Sequence, residues 1–420
     1  MPLAHSDAPP ALVTVEEHLA TVLATVTPLA GESVRVGDAV GRTLAAPVLA
    51  RVDVPLFDNS AMDGFAVRFT DVAAADAAHP VALRVVADIP AGSPDDPPLA
   101  PGDTARIMTG APVPTAADTV VPVEHIDGGF AESTTAAVVT ASPHVEGAHI
   151  RRRGEDVRAG EEVAPAGIVV GPLQATAFAA SGVDRVDVAR RPRVAVISTG
   201  SELAPTGGEF ARGQIPESNA ILLAASCRQA GADPVLVTTV TDDDAAFGAE
   251  FAHAIDELEA DLVVTSGGVS AGAYEVVRSV LSDRIAFVSV AMQPGEPQAF
   301  GQVGGALVFG LPGNPVSVAM SFEAFVRPAL LALQGRMDLQ RPTIRLPAAT
   351  GWRKKEGRRQ FVPACIDRSD PAAWSVRPAT AGGSGSHLAA GLARAEAYAI
   401  VPADVATVTA GDLVDVVLLS

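Results

Sequence analysis

Cysteine is nearly absent. Cys227 and Cys365 are the only two in 420 residues, too few for a disulfide framework and too far apart for a C-x-x-C pair. Cys227 follows the apolar run Ile221–Ala225 and reads as core filler. Positive charge is scarce as well: 30 Lys and Arg stand against 49 Asp and Glu, a net charge of −19. Such a surface argues against nucleic acid or an anionic membrane as a partner. Any phosphate site must therefore be made locally, by turns, arginines or a metal. No G-x-G-x-x-G and no G-x-x-x-x-G-K-[ST] occurs, so neither a dinucleotide fold nor a P-loop is expected. No H-E-x-x-H or Cys/His set occurs either, which removes zinc. Met1–Pro10 lacks the basic start and apolar core of a secretory signal. Residues 163–183 carry no charge, but Pro165, Gly167, Gly171, Pro172, Gln174 and Ser181 interrupt them. They read as strand, turn and helix rather than as a membrane span. The expected compartment is the cytoplasm.

What is present is apolar material for large cores, 48% of the chain, and a length beyond the ~250–300 residues that one core usually reaches. Residues 193–333 alternate between strand and helix patterns. Strands are expected at Val194–Ile197, Val235–Val240, Leu262–Thr265, Ile285–Val290 and Ala306–Phe309. Helices are expected at Ala220–Gln229, Asp243–Glu259, Val276–Leu281 and Val316–Leu333. This alternation implies a doubly wound, mainly parallel α/β sheet, whose ligand site lies at the carboxyl ends of the strands. The turns at those ends carry glycines, small polar residues and acids. They are Ser198–Leu203, Thr241–Asp244, Ser266–Ser270, Met292–Pro297 and Gly310–Pro315. Glycine-rich strand-to-helix turns suit phosphates, and Glu202, Asp242 and Glu275 offer the oxygen ligands that Mg²⁺ takes.

Around this unit the pattern differs. Thr14 and Glu17 form a capping box before Leu19, Val22, Leu23 and Val26 at helical spacing; His18 reads there as a surface or packing residue. In Phe57–Phe65, Asp58 and Asp63 flank Asn59 and Ser60, which suits a turn held by side chain-to-backbone bonds better than a metal or sugar site. Residues 70–146 are β-rich and read as a small inserted β domain, with Thr109 in a compact turn. Arg151–Arg153 form either a local anion-attracting patch or a solvated charge run. Residues 341–420 return to short strands, a closing β-barrel or sandwich.

Taken together and in order, several segments resemble the molybdopterin molybdenumtransferase family (bacterial MoeA and the E domain of gephyrin). They are Phe57–Arg68 (FDNSAMDGFAVR), Met108–Pro112, Ala117–Glu124 (ADTVVPVE), Arg153–Gly160 (RGEDVRAG), Ser198–Leu203 (STGSEL) and Gln214–Asn219. Ser266–Ser270 (SGGVS), Pro294–Gly301 and Gly310–Ser317 (GLPGNPVS) complete the series. The resemblance implies an elongated homodimer built of a split domain (11–52 and 147–187), an inserted β domain (53–146), a molybdopterin-binding-type α/β domain (188–335) and a C-terminal β domain (341–420). It implies a reaction in which adenylylated molybdopterin and molybdate, with Mg²⁺, give AMP and molybdenum cofactor. It also implies an adenylyltransferase upstream and apo-molybdoenzymes downstream as partners. By motif, Glu202, Asp242 and Glu275 are assigned to the metal, and Gly267, Gly268 and Ser270 to the pterin phosphate. Ser198, Thr199, Gly200, Asn219, Ser266, Pro294, Gly295, Pro312, Gly313 and Asn314 are assigned to the same substrate. Asp58, Thr109 and Asp156 are assigned to the partner's site or the molybdate pocket.

The chain also departs from the family pattern. Gln293–Pro294–Gly295–Glu296–Pro297 stands where the family has Lys-Pro-Gly-Lys-Pro. Ser201, Ala273 and Glu275 replace acids or shift them, and Phe361–Val362–Pro363 lacks an arginine. Losing those lysines leaves a second reading open, a non-catalytic molybdopterin-binding carrier or scaffold.

Overall fold

The computed structural model describes residues 12–269, 275–380 and 385–419. Its largest unit is a six-stranded sheet of β1 (Arg193–Thr199), β2 (Asp233–Val240), β3 (Leu262–Ser266), β4 (Ala286–Ser289), β5 (Pro297–Val303) and β6 (Ala306–Leu311). The spatial order is β2-β1-β3-β6-β5-β4. The first four of these run parallel, while β5 and β4 add an antiparallel edge. β5 is the strand absent from the expected set. Its sequence, PQAFGQV, carries proline, glycine and two glutamines, so no run of β-branched residues announced it.

β3 is buried at all five residues, as a strand covered on both faces must be. Alternate residues feed two cores. Val196, Leu262, Val264 and Phe309 pack with α2 (Asn219–Gln229) and α5 (Pro315–Leu333). Ile197, Val263 and Val308 pack on the other side with α3 (Asp244–Ala252) and α4 (Val276–Leu281). Among the described residues α5 is the one helix long and apolar enough to cross a membrane, and 78% of its most apolar window is buried inside this fold.

The N-terminal helix α1 (Val15–Ala24) has the expected capping box, but its buried face is Val15, His18 and Val22. His18 is edge-on to Phe325 with centroids 4.6 Å apart, so it is a packing residue. Val13 N–H donates to Ser289 O at 2.9 Å. Residues 13–24 therefore pack against the α/β unit, with Val15 and Val22 in its core.

The split unit joins residues distant in sequence. Gly31–Arg35 pairs with Arg185–Ala189, and Val48–Leu49 with Glu162–Ala164, over a core that includes Leu44, Val170 and Phe178. Between these halves a six-stranded sheet spans residues 64–139, in the order 119–122, 64–67, 103–107, 81–89, 136–139, 126–127. The C-terminal unit is a sheet of Ser375–Pro378, Arg359–Asp367, Ala397–Val401, Leu413–Leu418 and Thr343–Pro347. A bridge between Ala348 and Val376 joins its two edges, giving a barrel-like closure. Met292–Gln293, which follows β4, pairs in parallel with Arg359–Gln360 and ties this unit to the α/β unit.

Candidate active site

The chain leaves β1 for β2 on one side of the sheet and returns to β3 on the other. Such a reversal opens a crevice above the carboxyl ends of the two strands. A cleft of about 840 Å³ lies there, lined by the turns after β1, β2, β3 and β6 and by the start of α2. Thr199, Gly200, Glu202, Asn219, Asp242, Gly267, Gly268, Glu275, Gly313 and Asn314 all line it. Residues from separate turns, assigned above by motif, thus share one cavity. Gly267 shows why the turn needs glycine: its φ is +91°, and a Cβ there would stand 2.6 Å from Thr199 O. Gly313 faces it, and a Cβ on Gly313 would come within 3.6 Å of Gly267 Cα. Asn219 donates from Nδ2 to Gly313 O at 2.7 Å, which fixes the β6–α5 turn against the start of α2.

Three assigned residues lie under the cleft instead of in it. Ser198 and Ser266 are buried, and so is Pro312. Ser270 lies outside the described residues. Ser198 and Ser266 are register partners at the ends of β1 and β3, with hydroxyls 3.0 Å apart. Ser198 also donates to Glu217 at 3.0 Å. Glu217 is buried and was not singled out by sequence; as the acid just before α2 it reads as an ordinary cap.

Glu202, Asp242 and Glu275 share the cleft, yet among the described residues no three His, Cys, Asp or Glu side chains converge closely enough to cage a metal. Asp242 accepts the Ser201 N–H through Oδ2 at 2.9 Å and donates its own N–H to Ser201 Oγ at 3.1 Å. The backbone at residue 201 thus holds the Asp242 carboxylate, while the Ser201 hydroxyl accepts only the Asp242 N–H. Hard oxygen donors spread along a cleft fit Mg²⁺, which keeps several waters and takes one or two carboxylates alongside substrate phosphates.

Pro294 and Gly295 line a neighbouring cleft of about 330 Å³ with Gln293, Glu296, Ser317, Lys355 and Arg358. Glu296 is ion-paired with Arg358, and Gln293 Oε1 accepts the Lys355 N–H at 3.2 Å. The acid at 296 is therefore not a bare carboxylate, and cationic residues reach this cleft from the C-terminal unit. The two clefts meet where Asn314 Nδ2 donates to Ser386 Oγ at 3.2 Å.

Asp58, Thr109 and Asp156 line neither cleft of their own chain. Asp58 accepts the Arg153 N–H and the Arg152 guanidinium, each at 2.7 Å; the backbone bond first, then Arg152, holds its carboxyl below the usual range. Arg153 pairs in turn with Asp53. Two of the three consecutive arginines are thus engaged by carboxylates. Thr109 N–H and Oγ1 both bond Asp63 Oδ1 at 2.7 Å, and these bonds lower the Asp63 pKa. The 57–65 loop is indeed held by side chain-to-backbone bonds, among them Asn59 Nδ2 to Phe57 O and Ser60 Oγ to Met62 O. Asp156 is exposed.

Family models match nearly the whole chain in order. Residues 13–182 match the MoeA N-terminal region (domain I and II), 195–332 a probable molybdopterin binding domain, and 345–419 the MoeA C-terminal region (domain IV). The chain is 44% identical to molybdopterin molybdenumtransferase 2 of Mycobacterium tuberculosis, over 95% of this chain and 97% of that protein. It belongs to the molybdopterin molybdenumtransferase family. Molybdopterin molybdenumtransferase 1 of the same organism is 34% identical, over 97% of this chain and 99% of its own length. The crystal structure of a molybdopterin biosynthesis MoeA protein from Pyrococcus horikoshii covers 98% of this chain at 30% identity, with a TM-score of 0.82. Membership of the molybdopterin molybdenumtransferase family assigns the chain to transferase chemistry in molybdenum cofactor biosynthesis.

Proposed function

We propose that this chain takes adenylylated molybdopterin and molybdate and, with Mg²⁺, releases AMP and molybdenum cofactor. The observation that carries this reading is the cleft at the β1/β3 crossover, where glycine turns, Asn219 and three acids line one cavity. The backbone of the 266–268 turn would take the pterin phosphate, where the absence of a Cβ leaves the main chain open to approach. Ser270 is assigned to the same phosphate. Glu202, Asp242 and Glu275 would hold Mg²⁺, which when bound neutralises charge developing on the phosphate oxygens. The backbone N–H of Ser201 donates to the Asp242 carboxylate and would hold it in place there.

The same reading makes the protein a cytoplasmic homodimer of four-domain subunits, with the boundaries given above. Asp58, Thr109 and Asp156 of one subunit would complete the other's cleft. An adenylyltransferase would supply its substrate and apo-molybdoenzymes would take its product.

The test is AMP release by the purified chain from adenylylated molybdopterin, with transfer of cofactor to an apo-enzyme. Release that requires both Mg²⁺ and molybdate is expected. Binding of the pterin without AMP release would overturn the transferase reading in favour of a carrier. Asp242→Asn can still accept the Ser201 N–H, so it is expected to fold normally yet lose about 100-fold or more in AMP release. Retained activity would remove Asp242 from the metal site.

A further inference from the structure

We propose that Glu217 is a positioning residue of the transferase, fixing the direction of a buried hydroxyl chain beneath the substrate cleft. The proposal rests on the transferase reading of that cleft. Glu217 is 8% exposed, and Ser198 and Ser266 are 0% and 1% exposed. One carboxylate oxygen, Oε1, accepts both the Ser198 hydroxyl at 3.0 Å and the Ala220 N–H at 2.7 Å. Ser198 has a single hydroxyl proton, and it is donated to Glu217 Oε1. In the 3.0 Å pair between Ser198 and Ser266, Ser266 must then donate. The chain therefore runs one way, Ser266 to Ser198 to Glu217.

The placement gives this chain a mechanical consequence. Ser198 is the penultimate residue of β1 and Ser266 the last of β3, neighbouring strands whose onward connections run to opposite sides. Thr199 and Gly267, the residues that follow them in the chain, both line the cleft. Ala220, which Glu217 also binds, lies in the first turn of α2 beside Asn219, and Asn219 holds Gly313. One buried carboxylate thus ties three cleft walls to a common point: the turn after β1, the turn after β3 and the start of α2. Buried hydrogen-bond networks hold side chains and the loops they join in place, and small displacements of groups that bind a reacting substrate are costly in rate.

The test compares Glu217→Ala, Glu217→Gln, Ser198→Ala and the Glu217→Ala/Ser198→Ala double variant. AMP release is measured against the concentration of adenylylated molybdopterin, and each protein's thermal midpoint is recorded. Glu217→Ala is expected to lower kcat/KM by about 10-fold or more, with a raised KM, as a displaced binding turn requires. Glu217→Gln keeps an acceptor oxygen in place of Oε1 and is expected to recover most of that loss. Ser198→Ala should reproduce part of the effect, and the double variant should fall short of the product of the two single losses, since the residues act as one unit. A role confined to capping α2 would lower the thermal midpoint and the active fraction while leaving KM unchanged, and that result overturns the proposal. Strictly multiplicative losses would overturn it as well. If Glu217→Ala does not fold, Glu217→Gln and Ser198→Ala carry the test: unchanged KM in Ser198→Ala sinks it. An inactive wild-type chain would instead refute the transferase reading itself.

Discussion

His18 illustrates how a single residue is redefined by its neighbours. It packs edge-on against Phe325 and more distantly against Phe300, and burial pushes its pKa down from 6.5 to about 4. The unfolded chain therefore binds a proton more readily than the folded one between those values. Stability from this group is complete above about pH 6.5 and is lost as pH falls toward 4. The ceiling on that loss is about 3 kcal/mol, at 1.36 kcal/mol per pKa unit. Replacing it as His18→Leu is expected to flatten this part of the stability profile, measured by denaturant unfolding between pH 7 and pH 4; an unchanged slope would mean His18 is solvated in the native state. Spacing alone could assign the residue to the helix, but only Phe300 and Phe325, some three hundred residues away in sequence, make its neutral form the native one. Glu217 is a second case. Its position before a helix is plain in the sequence, while its bond to Ser198 exists only because β1 ends beside α2.

At the scale of elements, legibility followed local sequence pattern more than burial. The buried β1, β3 and β6 and the half-exposed edge strands β2 and β4 all lie within two residues of where the pattern places them. β5 was not: paired on both sides between β6 and β4, it opens on a proline, which the first position of a strand tolerates, and carries two glutamines and a glycine in place of a β-branched run. Gly64 shows a requirement visible only in the folded sheet. It sits in a strand flanked by Thr119–Pro122 and Asp103–Ile107, and a Cβ there would lie 2.1 Å from Val121 O. The obstruction is backbone, so it cannot rotate aside. Gly64→Ala is expected to destabilise the inserted sheet by about 3 kcal/mol or more, read as a lowered unfolding midpoint. A loss under about 0.5 kcal/mol would mean that the two strands separate readily at this point.

For the whole molecule, Asp58, Thr109 and Asp156 raise the question of assembly, since they line neither cleft of their own chain. If one subunit completes the other's site, two inactive variants should restore each other. Mixing Asp156→Asn with Asp242→Asn subunits, after a dissociation and reassociation step, places one intact site in each mixed dimer. Random pairing then predicts recovery of about a quarter of wild-type AMP release. No recovery, with mixed dimers verified by mass, would overturn the assignment of Asp156 to the partner's cleft. The tie between Met292–Gln293 and Arg359–Gln360, together with the Glu296–Arg358 pair, likewise belongs to this scale: it places C-terminal cations beside a loop that has lost its own.

The sequence by itself determined the alternation of strand and helix, the glycine turns at the strand ends, the family, and which acids sit on those turns. These depend on local pattern: burial on two faces demands apolar runs, and close backbone approach demands glycine. Tertiary structure alone decided which turns share a cavity, that α1 packs on the α/β unit, that Arg152 and Arg153 are engaged by carboxylates, and that Glu217 lies under the cleft. Each of these is a contact between residues far apart in the chain, set by strand order and packing, and no local pattern encodes it.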